Sequence, residues 1–81
     1  MIEMGEKPNS TLDTRGLFCP LPIVKTSEAI KSVPIGGVLE ILATDPGVLA
    51  DIPAWARKTG NQMLRTECEG NVIKLYVKKL K

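Results

Sequence analysis

The chain has 81 residues, a net charge of +2, two cysteines and no histidine. That length holds one small domain with a modest core, and the charge is too small by itself to argue for nucleic-acid binding, so a direct nucleic-acid partner is not expected. Two cysteines cannot staple a disulfide-rich scaffold, and without histidine there is no Cys–His catalytic pair or His-ligated metal site, so no metal or cofactor is expected.

Residues 1–9 carry Gly5, Pro8 and charged side chains and read as a flexible tail, leaving 10–81 as a single domain. The start lacks the apolar stretch of a signal peptide, and no apolar run approaches the ~20 residues of a membrane span. A cytoplasmic, reducing location without a membrane partner follows as the expectation. Ser10 to Thr14 has enough alternation for a short strand, with Leu12 its best core residue. Arg15-Gly16 then turns the chain toward Leu17-Phe18-Cys19-Pro20-Leu21-Pro22.

Proline fits a helix where its missing N–H would be orphaned anyway, so Pro20 reads as the first helical residue and Cys19 as the N-cap. The helix predicted over 20–33 places Ile23, Ser27, Ile30 and Val33 on one face. Pro34 and Gly36-Gly37 stop it. Val38 to Ala43 is an apolar run interrupted by Glu40 and suits a central strand. Asp45 can cap a helical turn at 46–50, and Asp51 a main helix with Pro53 in its first turn and Gly60 as its stop. Residues 63–68 and 73–78 alternate around Gly70-Asn71 and read as a hairpin. The order βαβαββ predicts an α/β two-layer sandwich: a four-stranded mixed sheet with two helices on one face.

A thiol at a helix N-terminus feels the positive end of the helix dipole, which favours thiolate. Pro20 and Pro22 leave the Leu21 N–H as the main free donor there, and Arg15 and Lys25 flank it with positive charge. A reactive Cys19 is one reading; a small buried apolar cap is the other. Cys68, on a face with Leu64 and Thr66, reads as a packed structural thiol, or as a resolving partner for Cys19. Lys74, Lys78, Lys79 and Lys81 read as a solvated, aggregation-blocking strand edge.

Leu12-Asp13 through Leu17-Phe18-Cys19-Pro20-Leu21-Pro22 resembles the CPxP signature of the TusA/SirA-like sulfur-carrier proteins. Thr44-Asp45-Pro46 followed by Asp51-Ile52-Pro53-Ala54-Trp55 is similar to that family's second motif, and the resemblance spans about residues 10 to 79. It implies a fold like the C-terminal domain of translation initiation factor three, with Cys19 carrying sulfur as a persulfide. It also implies a donor such as a cysteine desulfurase, an acceptor relay protein, and a route toward tRNA 2-thiolation or related sulfur metabolism. Phe18 departs from the pattern, standing where a basic residue is familiar. No residue here is an evident acid or base for complete turnover, so a sulfurtransferase-like carrier fits better than a self-sufficient enzyme, and a monomer is expected. Two other classes compete: an RNA- or protein-binding module using the basic strand, and a thiol redox protein cycling a Cys19–Cys68 bond.

Overall fold

The computed structural model describes residues 8–81. The two most apolar strands form the middle of its sheet: β2 (Val38–Ala43) and β4 (Val72–Lys78) pair antiparallel. Leu39, Ile41 and Ala43 on one, and Ile73, Leu75 and Val77 on the other, are buried on the same face. β1 (Ser10–Thr14) runs parallel to β2, and β3 (Gln62–Glu69) antiparallel to β4, giving the order β1-β2-β4-β3. Helices α1 (Leu21–Ala29) and α2 (Val48–Thr59) cover the apolar face, with Val48, Ile52 and Ala56 of α2 closing the core. The expected four-stranded mixed sheet with two helices on one face is the architecture found.

Most of the expected tail, residues 1–7, lies outside the described residues. Asn9 is anchored: its N–H donates to the Val38 carbonyl at 2.8 Å, and its side-chain oxygen accepts the Val38 N–H at 2.8 Å.

α1 is shorter than the periodicity predicts. It ends at Ala29, a single 3-10 turn follows over Ile30–Ser32, and Val33 is extended at φ −88, ψ 133. Pro34 disfavours helical geometry at the residue before it, which accounts for the early stop. The buried face is also rotated from the expected stripe. Pro22, Thr26 and Ile30 are buried, Ile23 and Ser27 are half-buried, and Val24 is exposed. Thr26 tolerates burial because its hydroxyl donates to the Pro22 carbonyl at 2.7 Å.

α2 is one continuous helix, in place of a leading turn and a separate helix capped by Asp51. The Val48 and Leu49 N–H groups donate three residues back to Asp45 and Pro46, so the leading turn exists but is fused to the main helix. Pro53 lies inside the helix and offers no N–H to the Leu49 carbonyl. Leu49 is exposed, so water can take that place. Gly60 ends the helix at φ 82, and the Asn61 N–H closes it on the Ala56 carbonyl at 2.8 Å.

Two further expectations are corrected at the hairpin. β4 is an interior strand, so its lysines do not form a sheet edge. They stand on or beyond the uncovered face, where Lys74 pairs with Glu69 at 3.0 Å, Tyr76 donates to Glu40 at 2.8 Å, and Arg65 stacks 4.0 Å over the Tyr76 ring. Cys68 is exposed, not packed. An irregularity between Met63 and Arg65 shifts the register of β3, so Met63 reaches the core. Thr66 and Cys68 pair with Leu75 and Ile73 but lie on the outermost strand, and both are exposed.

Candidate functional site at the start of the first helix

Parallel pairing of β1 and β2 brings their C-terminal ends side by side, with Thr14 level with Ala43. The loops leaving those ends are therefore neighbours. Thr14, fully buried, donates its hydroxyl to the Leu42 carbonyl at 2.6 Å. Gly16 turns the chain at φ +83, a conformation that favours glycine, and its N–H donates to Thr44 Oγ1 at 2.9 Å.

Cys19 follows on a tight turn in which the Leu21 N–H donates to the Phe18 carbonyl at 2.9 Å. The Cys19–Pro20 peptide bond is cis, with proline in the third position of the turn. Pro20, at φ −98 and ψ 13, occupies the N-cap position expected for Cys19. The Leu21 N–H is committed to Phe18 and does not serve Sγ. Pro22 is buried beneath this turn, whereas Cys19, Phe18, Leu21 and Val24 are exposed, Phe18 by 71%.

Two carboxylates reach this turn from the other loop and from α2. Asp45 Oδ2 accepts the Cys19 backbone N–H at 2.9 Å, while its Oδ1 accepts the Gly47 N–H at 3.1 Å at the entrance to α2. Asp51, in the first turn of α2, accepts a hydrogen bond from the Cys19 thiol, with Sγ 3.3 Å from Oδ2. One helical turn below, the Trp55 indole donates to Ser27 Oγ at 3.0 Å and ties α2 to α1. Asp51 and Trp55, four residues apart, thus line the face of α2 that meets α1.

This geometry reverses the expected electrostatics. The hydrogen bond to Asp51 pushes the Cys19 thiol above the ordinary cysteine range, and partial desolvation and the charges of Asp51 and Asp45 act in the same direction. The helix end offers about half a charge spread over its first turn, which a full carboxylate charge in contact with sulfur outweighs. The expected cations do not compensate. Arg15 makes a two-pronged pair with Asp13 at 2.9 and 2.8 Å, and Lys25 is exposed. Asp45 and Asp51, read from the sequence as caps, are the residues that reasoning missed. Only Asp45 caps, through Gly47. Among the described residues no group of three or more potential metal ligands converges, and no helix is long and apolar enough to cross a membrane.

The same contacts set the response to acid. Hydrogen bonds from the Arg15 side chain and N–H draw the Asp13 carboxyl down to about 2, and the N–H groups of Gly47 and Cys19 lower Asp45. A carboxyl whose folded pKa lies below its unfolded value gives stability above the unfolded pKa and loses it as pH falls through the folded one. The melting temperature is therefore expected to fall between about pH 4 and about pH 2. In the Asp13→Asn, Asp45→Asn double variant the fall should be shallower; equal slopes in thermal scans would refute the assignment.

The family model described as Sulfurtransferase TusA matches residues 10–79. The chain is 48% identical over 73 residues to the Bacillus subtilis protein YrkF, covering 90% of this chain but 40% of that protein, so it spans about two fifths of that relative's length. It is 40% identical over 68 residues to the sulfur carrier protein TusA of Allochromatium vinosum, covering 84% of this chain and 90% of that one. The crystal structure of a SirA-like protein from Desulfitobacterium hafniense shares the fold at a TM-score of 0.76, with 23% identity over 89% of this chain and 99% of that one. The motif around Cys19, the Asp45–Asp51 segment and the hairpin all fall inside the matched span, and the chain belongs to the TusA sulfurtransferase family.

Proposed function

We propose that this protein is a cytoplasmic sulfur carrier that holds sulfane sulfur as a persulfide on Cys19. The observation that carries the reading is the placement of an exposed thiol on a turn held from two sides, within a chain that matches the family over 10–79. A donor such as a cysteine desulfurase loads it, and an acceptor relay protein takes the sulfur onward, toward tRNA 2-thiolation or related sulfur metabolism. Each transfer is a thiol attack on the outer sulfur of a persulfide, so the sulfur must be accessible at both steps. Exposed Phe18, Leu21 and Val24 beside the thiol favour a protein partner over a small molecule.

The test is incubation with a cysteine desulfurase and cysteine, followed by intact mass and peptide mapping. A gain of one sulfur atom located on Cys19 is the expected result. Sulfur located on Cys68, or none at all, would sink the reading.

A further inference from the structure

Asp51 contacts the atom that reacts, and its surroundings are lopsided. Two charged groups contact Cys19, Asp51 on α2 and Asp45 on the loop before it, while Arg15, just after β1, is paired with Asp13 within β1, and Lys25 on α1 is exposed. Asp45 accepts two backbone N–H groups, and Arg15 is held by Asp13. Among the described residues, Asp51 has the Cys19 thiol as its side-chain partner and no cation. A carboxylate there accepts a hydrogen bond from the protonated sulfur and opposes any negative charge on it. That disfavours both the thiolate of the empty carrier and the anion of a bound persulfide.

Resting on Cys19 as the sulfur-carrying residue, we infer that Asp51 restrains the Cys19 sulfur in the free carrier, and that a cationic side chain of the transfer partner releases it by pairing with Asp51 on docking. With its carboxylate engaged by the partner, Asp51 no longer favours the protonated form of the thiol. Cys19 Sγ then attacks the outer sulfur of the donor persulfide. A new S–S bond forms on Cys19 and the donor's S–S bond breaks. The donor sulfur takes the electron pair and the proton that Cys19 gives up, so no outside oxidant or reductant is required. Between partners, the protonated cargo is a weaker nucleophile and reacts less with stray electrophiles.

Asp51→Asn keeps the shape and removes the charge. Two rates are measured in a Cys68→Ser background: alkylation of Cys19 by iodoacetamide across pH, and sulfur loading by a cysteine desulfurase. Alkylation at neutral pH should rise about three- to tenfold, with its midpoint at lower pH. Loading should fall about tenfold and lose its sensitivity to ionic strength. Asp51→Glu should restore slow alkylation and part of the loading. A purely structural role would slow loading without moving the alkylation midpoint, so an unchanged alkylation profile overturns the restraint. Loading that rises together with alkylation overturns the partner's cation. Wild-type protein that takes no sulfur at all overturns the carrier reading and the release step with it, while the alkylation profiles still decide the restraint.

Discussion

Cys19→Ser is expected to abolish sulfur loading and leave the unfolding free energy within about 0.5 kcal/mol of the parent. Serine has no sulfur to accept, and Cys68, although exposed, has no comparable hydrogen-bonded turn around it. The small stability change follows from the surroundings. Cys19 is exposed, so the substitution removes little packing. The serine hydroxyl can donate to Asp51 as the thiol does, and the backbone N–H that holds the turn to Asp45 is untouched. Serine brings no extra capping benefit, because Pro20 holds the N-cap position. Intact mass after desulfurase treatment and urea denaturation check the two halves separately. Loading that survived in Cys19→Ser would move the carrier site elsewhere; unfolding of that variant would make the cysteine structural.

Ile41→Ala is expected to destabilise the domain by about 3–4 kcal/mol. Ile41 is the middle residue of the apolar face of β2, 0% exposed, between Leu12 on β1 and Leu75 on β4. Neighbours on three strands and the helix layer above limit how far the site can collapse around the missing atoms, so a cavity adds to the lost transfer energy. Native domains hold only about 0.05–0.15 kcal/mol per residue, so this loss is a large share of what a chain of this size has. Ile41→Val should cost about 1 kcal/mol. Urea titrations with the slope held in common would measure both. A loss near 1 kcal/mol for alanine would show that the layer repacks freely.

The fold was legible because its signals are redundant. The apolar run 38–43, the hairpin turn at Gly70-Asn71 and the stop at Gly60 each carry a local physical cause. Helix boundaries were less legible where prolines act. Pro34 shortened α1 from beyond its end, while Pro53 was absorbed into α2 instead of starting it. Pro20 and Pro22 single out the Cys19 thiol in the sequence, but not its electrostatics. Neighbours along the chain do not reveal them, because the groups that govern Sγ lie 26 and 32 residues away. The signal for them was topological: a parallel β1–β2 pair forces the segments after Thr14 and after Ala43 together, and that juxtaposition makes Asp45 and Asp51 neighbours of Cys19. Cys68 was misread for a related reason. Alternation gives the side of the sheet a residue faces, but not whether a helix reaches over the outermost strand to cover it.

The irregularity between Met63 and Arg65 has a consequence for how copies of this molecule meet at high concentration. A sheet with two open sides invites a neighbour to add its own strand, which is how ordered aggregates begin. One side here is β1, a strand of five residues. The other is β3, whose shifted register breaks the regular spacing of backbone donors and acceptors, and which carries Arg65, Glu67 and Glu69. Neither side offers a long, flat, uncharged template. Phe18, Leu21 and Val24 leave exposed apolar side chains beside Cys19, and the backbone does not add a long flat edge as a second route to self-association.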